Sequence, residues 1–143
     1  MDEMQELEKK RLKEGWIKAS MMIEALAVSE ETAKSSLEKH IEMMEKDKRI
    51  ILTRKEFKGI KLVDNPVPGI EKAFSNLVEV EILTSHFETL VYVSMTYGPT
   101  SIEILNPDKI KIDIGEAQGI LNTVAEMVHR FVSLKGGGLL VDT

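Results

Sequence analysis

Two segments far apart in the chain alternate apolar and polar residues one for one. Ile17, Ala19, Met21, Ile23 and Ala25 interleave with Trp16, Lys18, Ser20, Met22 and Glu24, and Val78, Val80 and Ile82 interleave with Glu79 and Glu81. Strand side chains change face at every residue, so each segment reads as a strand with one dry side and one polar side. Ile102-Glu103-Ile104 repeats the pattern in miniature. A chain carrying these segments must build a sheet with an apolar face that helices cover, leaving a second face rich in carboxylates.

Helical periodicity separates the strands. Ser29 is an N-cap candidate followed by Glu30 and Glu31, where the helix dipole favours acids, and Ala33, Leu37, His40, Ile41 and Met44 continue at helical spacing, predicting a helix over 30–47. Arg49–Thr53 reads as a second strand. Lys55–Gly69 is punctuated by Gly59, Pro66 and Pro68 and reads as an irregular connection, after which Ile70, Ala73 and Phe74 suggest a short helix within 69–76. Ser85 and Glu88 form a capping-box pattern for a helix over 86–97 that Gly98-Pro99 stops, and Ser101–Leu105 reads as the fourth strand. Ile110, Ile112 and Ile114 suggest a brief extended segment. Asp113 and Glu116 can cap a long last helix whose Ala117, Ile120, Leu121, Val124, Val128, Phe131 and Leu134 form one apolar stripe. The order predicts an α+β, ferredoxin-like βαββαβ sandwich with an additional long C-terminal helix, its first and third strands central. Residues 1–14 read as a charged, frayed helical arm, 15–135 as a single domain, and 136–143 as a flexible tail.

Composition narrows the function classes. The chain has 143 residues, a net charge of −5, no cysteine and three histidines. That excludes disulfides and thiolate chemistry, argues against a phosphate-tracking nucleic-acid surface, and fits the cytoplasm. No apolar run is long enough to cross a membrane. No catalytic motif occurs and no cofactor is implied.

Three candidate sites remain. On the outward sheet face, Glu24, Glu79, Glu81 and Glu103 could supply oxygen ligands to a hard divalent cation, although alternating glutamates balanced by Lys18 also serve simply as a solvated face. Trp16 and Met22 share that face and suit an interface, with a second sheet or the chain's own last helix as the cover. The turn Tyr97-Gly98-Pro99-Thr100-Ser101, with His86 at the start of the preceding helix, could hold a small ligand, or be only a helix stop before a strand.

At Phe74–Glu81 and at Tyr97–Pro107 the chain resembles a set of small conserved archaeal proteins of uncharacterised function, from about Gly15 to Leu134. The resemblance implies a cytoplasmic ferredoxin-like domain and brings no activity or catalytic residue with it. Two function classes follow. One is a non-enzymatic binding or regulatory module that forms a homo-oligomer and presents a small-molecule pocket at the interface, as ACT-like domains do. The other is a metal-binding protein or enzyme built on the acidic face.

Overall fold

The first alternating segment forms β1 (Ile17–Ala27), whose Ile17, Ala19, Met21 and Ile23 are buried while Lys18, Ser20 and Met22 are only half-buried. The structure, a computed structural model, describes residues 2–134. Its remaining elements are α1 (Glu3–Lys13), α2 (Glu30–Lys46), β2 (Ile50–Val67), β3 (Ile70–Thr84), α3 (Phe87–Tyr97), β4 (Ser101–Asn106) and α4 (Ile114–Leu134). The described strands form one antiparallel sheet in the order β2-β3-β1-β4, with the first and third strands central as the alternation predicts. The architecture is α+β. The expected tail 136–143 lies outside the described residues.

β1 and β3 pair so that Ala19, Met21 and Ile23 oppose Ile82, Val80 and Val78. All six belong to the core, together with Leu37 and Ile41 of α2 and Leu90 and Val93 of α3. α2 starts where Ser29 Oγ accepts from the Thr32 amide at 3.1 Å, and α3 ends on Gly98, whose φ of 58° is cheap only without a β-carbon. Both helices lie on the inner, apolar face.

Residues 55–76 depart from the sequence expectation. They are neither an irregular connection nor a short helix but the distal half of a long β2–β3 hairpin, paired out to Val67 opposite Ile70. The register slips between Leu52 and Arg54, between Phe57 and Gly59, and between Asp64 and Val67. Each bulge inserts an extra residue and resets the alternation, so the period of two disappears from the β2 sequence. Gly59 at φ 97° and Asn65 at φ 49° supply the backbone these bulges need. Ile70, Ala73 and Phe74 only imitate helical spacing, since in the ladder Ala73 and Phe74 face opposite sides.

The N-terminal cap of α3 differs from expectation as well. His86, not Ser85, is the N-cap residue of α3 and makes no side-chain cap bond; Ser85 Oγ instead meets His86 Nδ1 at 2.8 Å. The Glu88 amide donates to Glu116 Oε2 of α4 at 3.0 Å, so a carboxylate from a different helix does the work expected of the local box. Asp113 caps α4 as predicted, its Oδ1 accepting from the Glu116 amide at 2.8 Å. Residues 110–113 take no regular strand.

Residues 1–14, expected to fray, carry a capped helix: Asp2 Oδ1 accepts from the Gln5 amide, and Gln5 Oε1 from the Asp2 amide. α1 lies on the outer face of the sheet. Its Glu8 pairs with Lys18 at 3.2 Å, and the Arg11 guanidinium sits 5.0 Å from the Trp16 ring centroid. Leu83, which faces outward beside Lys18 by register, is fully buried at this end of the sheet. The last helix, one of the two covers expected for Trp16, packs against α3 on the opposite side. Deleting residues 1–14 is therefore expected to shift Trp16 emission to longer wavelength and to cost ~2 kcal/mol in urea unfolding as Leu83 is uncovered. Unchanged emission would show that α1 is not what shields Trp16.

Candidate functional site

The outward face carries the carboxylates that the sequence offers as metal ligands. Ser20 and Met22 of β1 stand opposite Glu81 and Glu79 of β3, so the two glutamates lie along the centre of that face. Arg54, opposite Glu81 on β2, reaches Glu79 Oε1 at 3.1 Å and Glu81 Oε2 at 3.2 Å, and Lys18 reaches Glu81 Oε1 at 3.3 Å. Burial works against the Lys18 ammonium, but the Glu8 hydrogen bond and the Glu81 and Glu8 charges outweigh it and raise its pKa. The face is an ion-pair chain running Glu8, Lys18, Glu81, Arg54, Glu79. Glu24 turns away to accept a hydrogen bond from Ser75 Oγ, and Glu103 is exposed on β4 opposite Ser20. Among the described residues no group of three or more His, Asp or Glu side chains is placed to hold a metal. Arg54 was missed in the sequence because the bulge at Thr53 hides the strand that aims it.

The turn after α3 is tied into the scaffold. Tyr97 is buried, its hydroxyl donating to Asp47 Oδ2 at 2.7 Å, and its carbonyl lies 2.9 Å from His40 Nε2. The Thr100 amide and hydroxyl both donate to the Met22 carbonyl, at 2.7 and 3.1 Å. Ser101 opens β4 opposite Met22, and Gly98 is the helix cap. His86 sits at the other end of α3, separated from Tyr97 by a helix about 16 Å long. His86 therefore lies apart from the other four residues. Tyr97 joins a latch absent from the sequence reading: Arg49 grips Asp47 in a fork, Nε to Oδ1 at 2.9 Å and a terminal nitrogen to Oδ2 at 2.6 Å, while its guanidinium lies 4.3 Å from the Tyr92 ring centroid. The Arg49 hydrogen bond, against the cost of burial and helped by Tyr97, holds the Asp47 carboxyl well below the usual range. Burial and then the Asp47 hydrogen bond push the Tyr97 phenol up to about 12. A fully ionised acid and a reluctant phenol make a structural clamp between the ends of α2 and α3, not an acid–base pair tuned to neutral pH.

The remaining large feature is apolar. α4 has 21 residues and α3 has 11, so about half of a helix some 32 Å long extends past α3, against which it packs. Leu121 is 65% exposed and Val128 49%. Ile102 and Ile104 of β4, on the inner face by register with Met21 and Ala19, are exposed too. A cleft of about 420 Å³, lined by Phe87, Ile104, Pro107, Ile110 and Ile112, joins that edge to the start of α4.

A match over residues 18–141 spans β1 to beyond the end of α4. The chain belongs to the MJ0538 family. This is an uncharacterised family that takes its name from a Methanocaldococcus protein, in keeping with the resemblance seen in the sequence. Trp16 and α1 precede the matched region. No curated protein matches the chain, and no described helix is long and apolar enough to cross a membrane.

The Tyr97 clamp has a pH signature. Because the folded phenol titrates at about 12 against an ordinary 10.0, its contribution to stability is complete below pH 10.0 and drains away as pH rises towards 12. Tyr97→Phe is expected to lose ~1.5 kcal/mol at neutral pH, and its deficit against the parent should shrink across that alkaline interval. Urea unfolding of both proteins over the interval measures it; a constant deficit would place the loss in packing rather than in the hydroxyl.

Proposed function

We propose that the chain is a non-enzymatic cytoplasmic module of ferredoxin-like βαββαβ design that self-associates through α4 and presents a small-molecule pocket at the resulting interface. The ferredoxin-like reading is supported by its two strand-helix-strand units, β1-α2-β2 and β3-α3-β4, each of whose strands are separated by one neighbour in the order β2-β3-β1-β4. The cytoplasm is assigned from the cysteine-free composition.

The observation that carries self-association is the spacing on α4. Ile114, Ala117, Leu121, Val124 and Val128 recur at alternating steps of three and four, the a and d positions of a heptad, and Ile114, Leu121 and Val128 on this seam are exposed. The flanking residues Gln118, Ile120, Ala125, Met127 and Val132 carry no charge, while Glu116, Glu126, His129 and Arg130 fall off the seam. Identical surfaces of an acidic protein can meet here without bringing like charges together, so the occupant best suited to the seam is a second copy. The cleft between Ile104 and Ile112 opens beside the seam, where a neighbouring copy would wall it.

Sedimentation equilibrium is expected to give twice the 16.1 kDa chain mass at micromolar concentration. Leu121→Glu with Val128→Glu should restore the monomer with unchanged circular dichroism, and Asn122→Glu, off the seam, should leave the mass unaltered. A parent chain that is monomeric at high micromolar concentration rules the reading out.

A further inference from the structure

α2 and α3 cover β1, β3 and the start of β2, where Ile50 is buried, but leave the inner side of the rest of β2 open. By register, Phe57, Ile60 and Leu62 face inward opposite Val78, Asn76 and Phe74, and the bulge before Gly59 keeps Phe57 and Ile60 on one side although they are three residues apart. Phe57 is 43% exposed and Leu62 55%. Between α2 and the start of this strip lies a groove of about 700 Å³, a volume typical of ligand sites. Its other wall carries Glu30, Lys34, Glu38 and Glu42 of α2, an excess of carboxylates over ammonium; these glutamates make no ion pair with any described residue, whereas Glu45 at one end is held by Lys55 at 3.3 Å.

We propose that this groove is a docking site for a basic amphipathic helix of a partner protein, lying beside α2 and over β2. A helix there would occupy the same layer as α2 and α3, at the spacing at which helices pack. Apolar residues three and four apart would cover Phe57, Ile60 and Leu62, and lysines or arginines on one flank would meet the carboxylates. From Glu30 to Glu45 the wall is about 23 Å long, enough for about four helical turns. Addition of a strand to β2 is the poorer alternative, because three bulges break its edge and Lys55, Lys58 and Lys61 stud the strand. The exposed α4 seam of a second copy is a poor occupant too, since it offers no cations to the carboxylates. The proposal is independent of association through α4.

The test uses the full chain and a fluorescently labelled peptide of about 15 residues built from leucine and lysine in amphipathic helical order. Two comparators are a scrambled peptide of the same composition and a leucine–glutamate version. Anisotropy titration is expected to show micromolar binding of the amphipathic basic peptide, about tenfold weaker binding of the scramble, and none of the acidic version. Phe57→Ala with Leu62→Ser should weaken binding about tenfold, and Glu38→Lys with Glu42→Lys should abolish it and admit the acidic peptide. All four positions are exposed, so unchanged circular dichroism is expected for both variants. Equal binding of the scramble, or parent-like binding by both groove variants, overturns the proposal. So does loss of binding on Leu121→Glu, which would put the peptide on α4, or loss of self-association on Phe57→Ala, which would put a second copy in the groove.

Discussion

Ala19, Met21 and Ile23 stand opposite Ile82, Val80 and Val78 in the β1–β3 ladder, and almost nothing of these six side chains reaches solvent. A slip of one residue would send all of them to the outer face and bring Ser20, Met22, Glu79 and Glu81 beneath the helices. Burial of unpaired carboxylates is costly enough that only one register is tenable. With that pair in place, the directions of β2 and β4, the layer of α2 and α3, and the polarity of the outer face all follow.

On the outer face the central glutamates Glu79 and Glu81 are balanced by cations from neighbouring strands. Lys18 and Arg54 stand among them, and α1 adds Glu8 and covers the end where Trp16 and Leu83 lie. The Arg54 pairs, on an exposed guanidinium, add little stability. Their effect is to prevent like charges from facing each other on neighbouring strands, where repulsion would loosen the central pair. On the inner face the shortage is of cover rather than of charge. Two helices roof the middle of a four-stranded sheet, so apolar side chains of both edge strands, Phe57 and Leu62 on one side and Ile102 and Ile104 on the other, remain in contact with water. An exposed apolar area shared between both edges and α4 is the kind of surface that proteins use for association.

Legibility in the sequence depended on how local the cause was. β1 and the β3 segment around Val78–Ile82 could be read because pleat and periodicity coincide there. The Ser29, Gly98 and Asp113 caps were readable because each bond closes within a few residues. The distal hairpin was not, since its three bulges erase the alternation that would have revealed it. The Ser85–Glu88 box was misread for a different reason: the same amide can be satisfied by Glu116, and nothing local decides between the two. Of the candidate residues, Tyr97 and Thr100 are tied into the scaffold, Trp16 lies beside Arg11 of α1, and Glu79 and Glu81 pair with Arg54.

Sequence alone determined the strands' two-faced character, the helices between them, the central place of β1 and β3, and the heptad spacing along α4, because periodicity and chirality act over short stretches of chain. Only the tertiary structure decided that Asp47, Arg49, Tyr92 and Tyr97 lock the ends of two helices together, that α1 rather than α4 lies over Trp16, and that a groove opens between α2 and β2. Those outcomes depend on which distant side chain arrives within hydrogen-bonding or packing distance. The alternating glutamates that first suggested a chemical face acquired their meaning only when β2 brought Arg54 alongside them.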